Sequence, residues 1–330
     1  MSRDRGPRRL RRLDRSVLIA ASLTALSLTA SGCVVVHGER EVLPSATKSE
    51  AAKALQQFTT AYNAADKAYD SSLDADFITG AFGDIDEARL KAGRANNPDG
   101  NPAHTPLKLS DAKYTIPKKA GWPRWFVADT AANKGSTARW VFVFTRNSLA
   151  EPWEAAYLTL LAPDKVPRFK TDKDGWAEAV PTNSTELAIA PGDLSEDYAG
   201  YLKDGGTAFA DGTHTSAWRA ERQKESKKPG LATQYLDDPL TSGDYLPLAL
   251  RTTDGGALVF FTTHHYEKQT AAPGTTIPTT AAVQALTSGE IKQSLTMEFV
   301  SNEVALDPPK GSGKVSVIGR IQGLTSAKGD

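Results

Sequence analysis

The densest group of metal-capable side chains in the sequence is His264-His265 followed by Glu267. A catalytic zinc ion needs three protein ligands. Neighbouring residues on a strand point to opposite faces, so the two histidines cannot share one ion. His265 and Glu267 alone supply two ligands, and the other histidines, His37, His104 and His214, are scattered. A polar pair at a strand end is expected, with no metal. The second chemical signal is aromatic: five of the six tryptophans, Trp122, Trp125, Trp140, Trp153 and Trp176, fall within 55 residues of each other. Such rings either fill a core or form a platform on which a sugar ring or peptide stacks. The residues placed to form a platform are Tyr62 and Tyr69 on a helix stripe, with Trp122, Trp125 and Trp176 facing them.

Other spacings lead nowhere. Ser45-Ala46-Thr47-Lys48 matches the S-x-x-K pattern of penicillin-recognising serine enzymes, but no S-D-N or K-T-G segment follows it. Asp172-Lys173-Asp174-Gly175 begins like a calcium loop and lacks its later acidic positions. There is no G-x-S-x-G elbow, phosphate loop, H-E-x-x-H or G-x-G-x-x-G. No cofactor is expected. The one basic-leaning stretch, Trp218 to Lys228, has Glu221 and Glu225 interleaved and reads as a solvated helix face, with contact to an anionic wall polymer or lipid headgroup as the other reading.

The elements that must position these residues come in two similar sets. Thr47-Lys48-Ser49-Glu50 is a capping box, and Ala51, Leu55, Phe58, Tyr62, Ala65 and Tyr69 then recur at steps of four and three, an amphipathic helix. A further short helix or two lies within 71–93. Strands are expected at 107–116, 124–128, 138–145 and 154–161, an antiparallel meander. Trp140, Phe142 and Phe144 share one strand face with Val141 and Val143 opposite, so that strand is covered on both sides. Four prolines punctuate 163–192, read as a connection. Helices at 194–204 and 215–226 then precede strands at 245–253, 257–265, 295–306 and 314–322. Pro123 to Val127 before Val141 to Thr145 is echoed by Pro247 to Arg251 before Leu258 to Thr262. The sequence therefore predicts an α+β fold of two domains, 47–162 and 193–330. Each has N-terminal helices packed on a four-stranded antiparallel sheet. This element order resembles the nuclear transport factor 2-like and cystatin-like cones, which implies a helix wrapped by a curved sheet with an apolar pocket at its open end.

The 330 residues carry 39 basic and 39 acidic side chains, but residues 1–32 hold seven arginines against two aspartates. The remainder is mildly acidic, which gives no electrostatic reason to expect nucleic acid. Behind the arginines, Val17 to Ala30 is apolar and spans about 21 Å as a helix, short of a hydrocarbon core of about 30 Å. Basic head, short apolar middle and small residues before the cut make residues 1–32 a signal peptide. Asp14 and Arg15 after Arg11-Arg12 fit the general secretory route better than the twin-arginine one. Ala30-Ser31-Gly32-Cys33 resembles the lipobox of bacterial lipoproteins. That resemblance implies a diacylglycerol thioether on Cys33 carrying palmitate-type chains, a tether over 33–46 and a place on the outer face of the cell membrane. The alternative is a cut after Gly32 that releases a secreted protein with a free thiol. The signal, Gly121 to Val127 and Asp254 to Phe261 also make the chain similar to actinobacterial lipoproteins without an assigned function. The expected role is non-catalytic binding of an envelope glycan, peptide or protein, or a scaffold. The other reading is an envelope hydrolase whose residues meet only in space.

Overall fold

The computed structural model describes residues 41–135 and 137–330, so Cys33 and its lipidation lie outside the described residues. Residues Val42–Asp330 form one compact unit. In chain order the first half contributes β1 (Leu43–Pro44), α1 (Lys48–Ala68), α2 (Gly80–Asn96), β2 (Leu109–Thr115), β3 (Pro117–Lys119), β4 (Arg124–Ala132), β5 (Arg139–Arg146) and β6 (Glu154–Leu161). The segment between the halves carries β7 (Ala177–Val180). The second half holds α3 (Leu194–Asp204), α4 (Ser216–Glu225), β8 (Lys227–Lys228), β9 (Leu231–Leu240), β10 (Leu248–Arg251), β11 (Ala257–Ala271), α5 (Ala281–Leu286), β12 (Thr287–Ser288), β13 (Ser294–Asp307) and β14 (Ser316–Gly329). The fold is α+β.

The capping box forms: Oγ1 of Thr47 accepts from the Glu50 amide at 3.1 Å, and Glu50 accepts from the Thr47 amide at 2.7 Å. At α3 the preceding residue, Asp193, itself has helical angles and its side chain caps nothing. The first sheet is the expected antiparallel one of four strands, in the order β2-β4-β5-β6. The second has ten strands, along β1-β3-β7-β10-β11-β13-β14-β12, with β9 added beside β11 and β8 beside β9. It draws strands from both halves. Within 163–192, β7 pairs parallel with β3 and antiparallel with β10, so this segment is stitched into the sheet where a free connection was expected.

The sheets lie face to face. Trp125, Val127, Val141 and Val143 pack against Leu250, Leu258 and Phe260. The other face of the first sheet, with Phe126, Phe142 and Phe144, takes Phe58 of α1. The far face of the second sheet is covered by Leu194, Tyr198 and Tyr201 of α3. Strand β5 is thus covered on both sides, as its composition requires. Two glycines bring α2 close. Gly80 has φ +56°, and a Cβ there would stand 2.5 Å from the Asp244 carbonyl oxygen; at Gly323 a Cβ would meet the Ile85 side chain at 2.6 Å. Without side chains at these points, α2 lies directly on β14 and on the turn before β10.

Candidate functional site: the cleft at His264

The expected aromatic platform does not assemble. Trp125 is 2% exposed and sealed between the sheets. Tyr62 borders the ring cluster of α1, 5.5 Å from Phe58 and under the Arg89 guanidinium; burial pushes its hydroxyl up to about 12. Tyr69 ends α1 in a left-handed conformation with its ring laid over Gly93 of α2. Trp176 is half-buried against the same ring cluster as Tyr62. Trp122 stands apart between the guanidiniums of Arg124 and Arg146, at 5.8 and 5.9 Å. The interior where a cone would open is filled by Phe58, Phe82, Phe126, Phe142 and Phe144, with ring centroids 5.0–6.4 Å apart. Close packing leaves no room there for a ligand.

Among the open clefts of the described residues, two adjoining ones of about 380 Å³ each share Asp84, Glu87 and Tyr245, while clefts of about 580 and 600 Å³ lie beside Arg139 and Arg168 and beside Arg219 and Asp237. The helix α2 presents Asp84, Glu87 and Lys91 at steps of three and four, on one face. The turn before β10 adds Asp244 and Tyr245, β11 adds His264, and β13 adds Glu298. Tyr245 donates its hydroxyl to Oδ2 of Asp84 at 2.7 Å, and Thr79 donates to Oδ2 of Asp244 at 3.0 Å. Burial raises the Asp84 carboxyl above the usual carboxylate range, with the tyrosine bond pulling it back. Burial likewise raises the Tyr245 hydroxyl, as does its bond to Asp84. Four carboxylates therefore face one lysine and one histidine. Beside them Glu154, half-buried, is pushed up to about 7 by burial, then by the charges of Asp244, Glu151 and Asp76.

His265 turns the other way, as alternation demands. It is buried on the α3 side, stacked on Phe299 at 4.8 Å with the planes 5° apart. Desolvation, then the cations Arg222 and Arg320, push it down to about 3. Asp237, opposite His265 in register, grips Arg222 with two bonds of 2.6 and 2.8 Å. Glu303 is 1% exposed; Oε1 accepts from Thr263 at 2.7 Å, Oε2 has no partner, and burial pushes the carboxyl up to about 8. Along α4 the basic stretch is a mixed-charge surface, with Lys224 near Glu221 and Lys228 paired to Glu225. No group of three metal-ligating side chains occurs among the described residues.

Of the cleft residues, only His264 stood out in the sequence, and there as half of a metal pair. Asp84, Glu87 and Lys91 share helical spacing, a signal too common to select them. Asp244, Tyr245 and Glu298 reach the cleft through long-range sheet pairing.

A family model described as a domain of unknown function (DUF8094) matches residues 42–329. An uncharacterized lipoprotein of Streptomyces coelicolor is 73% identical over 331 aligned residues, covering all of both chains. One from Streptomyces avermitilis is 62% identical, again over the whole of both. A second from Streptomyces coelicolor is 27% identical over 98% of this chain and 96% of its own. No solved structure matches. Among the described residues no helix is long and apolar enough to cross a membrane. The layered sheets fall within the residues that the family model matches, and the chain belongs to the DUF8094 family, whose Streptomyces relatives carry the name lipoprotein.

Proposed function

We propose that this is a lipid-anchored protein of the outer membrane face with a non-catalytic binding role. Its ligand is an amine-bearing group of an envelope peptide or glycan, held in the cleft at His264. The observation that carries this reading is the charge of the two adjoining clefts: Asp84 and Glu87 line both, Asp244 one and Glu298 the other, against Lys91 and His264. Carboxylates positioned by α2 and by Tyr245 accept charge-assisted hydrogen bonds from an ammonium group. Binding is favoured over reaction because the carboxyls displaced furthest, Glu303 and Asp74 (both pushed up to about 8), are 1% and 0% exposed. They can meet no substrate.

Titration of the detergent-solubilised protein with amine-bearing envelope peptides and their N-acetylated forms tests this. The amine should bind, the acetylated form should not, and Asp84→Asn with Glu87→Gln should weaken binding about tenfold or more, roughly 1.4 kcal/mol. Equal affinity for both forms would sink the reading. The envelope-hydrolase alternative rests on Glu154, half-buried and held near 7, a value suited to a general acid. It requires turnover of envelope fragments that Glu154→Gln abolishes.

A further inference from the structure

Among the described residues, the two most exposed large apolar side chains are Leu149, at 79%, and Val42, at 60%. Both lie beside the end of the first sheet at which β4 begins and β5 finishes. Leu43, next to Val42, pairs with Lys119, and its carbonyl accepts from Nη1 of Arg124 at 3.1 Å. Arg124, the first residue of β4, pairs with Arg146, the last of β5. From Arg146 the chain turns through Leu149 into β6. Trp122, between the same two arginines, stands at this end as well.

The length of chain before β1 says what this end faces. Val42 is nine residue steps from Cys33, a reach of at most about 30 Å fully extended. A compact unit spanning 42–330 has a radius of gyration of about 19 Å, so it is roughly 50 Å across. An anchor on Cys33 holds the Val42 end near the bilayer and leaves the opposite side of the unit out of reach.

We infer that this end docks on the bilayer, with Val42, Leu43 and Leu149 entering the headgroup boundary and Trp122 lying at the interface. The inference rests on the reading of Cys33 as lipidated. Tryptophan is suited to that depth because its ring is amphipathic. A second, weak apolar contact also adds to the hold of a lipid anchor. Glu151, exposed two residues beyond Leu149, places a carboxylate on the neighbouring flank.

The test uses the full lipidated chain in vesicles of phosphatidylcholine and phosphatidylglycerol. Leu149→Cys, Val42→Cys and, as control, the 55% exposed Leu236→Cys each receive an environment-sensitive dye, the Cys33 thiol being occupied by lipid. The dyes at 149 and 42 should emit to the blue and be quenched by bromine-bearing lipid tails. The dye at 236 should emit as in water and be quenched by iodide. Detergent partitioning of the same samples reports the anchor separately. Partitioning with water-like emission at all three positions overturns the docking and leaves the lipidation standing. Failure to partition, with dye found on Cys33, overturns both.

Discussion

His264 and His265 are neighbours on β11, yet one lines an open acidic cleft and the other is sealed among two arginines, an aspartate and an aromatic ring. The pleat alone separates them. On the sealed side Asp237 clamps Arg222, and Glu303 is pushed towards its neutral form. On the open side carboxylates accumulate without matching cations. Like charges gathered where water reaches them are kept at a stability cost, and the proposed binding role rests on this asymmetry.

The sharpest way to break this comparison is Asp237→Ala. It leaves Arg222, 6% exposed, without its counter-ion, and urea unfolding should show a loss of about 3–5 kcal/mol. A loss below about 1 kcal/mol would mean that the sealed side does not depend on the pair.

Proton linkage distinguishes the sides next. Glu303 titrates at about 8 in the folded chain against 4.5 for a free glutamate, so the folded state holds the extra proton and stability falls as pH rises through that window. His265 titrates at about 3 against 6.5, so the unfolded state holds the extra proton and stability falls as pH drops from 6.5 towards 3. Between pH 4.5 and 6.5 the two oppose each other. Relative to the parent, Glu303→Gln should therefore gain a slope of up to about +1.4 kcal/mol per pH unit in that range, and His265→Gln about −1.4. Parallel curves for parent and variants would remove both groups from the account.

On the open side, effects on stability should be smaller. Tyr245→Phe loses one hydrogen bond to a carboxylate, about 1–2 kcal/mol, and removes the bond that pulls the Asp84 carboxyl down, so Asp84 should titrate higher than in the parent. His264→Ala should change stability by less than about 0.5 kcal/mol while altering ligand affinity. A large stability loss at His264 would make the two faces alike.

The helix at Thr47, the four strands of the first sheet and the opposed faces of β5 were legible because each is written in local spacing. So was the divergence of the two histidines. Strand β9 was missed because its sequence, with Gln234, Asp237, Asp238 and Pro239, lacks apolar alternation; partners on β11 and α4 satisfy it instead. β7 was hidden among prolines and charges. The cleft was illegible for the same reason as the ten-stranded sheet: its residues come from six elements, α2, β9, the turn before β10, β11, β13 and β14, up to 241 positions apart, counted from Asp84 to Thr325. Trp125 was misjudged because the sequence does not say that a second sheet covers its face.

The stitching of β7 between β3 and β10 also sets an order of events at birth. The chain is made from its N-terminus, so Trp125, Val127, Val141 and Val143 exist well before Leu250, Leu258 and Phe260, which cover them. From Leu161, where β6 ends, the chain must grow by 89 residues to reach Leu250 and 99 to reach Phe260, and until then the first sheet has a finished inner face and an unclothed outer one. Such a surface invites the wrong partners. The growing protein must therefore either stay unfolded until its C-terminal strands arrive or be shielded while it waits, and a fragment ending near residue 162 should precipitate rather than fold.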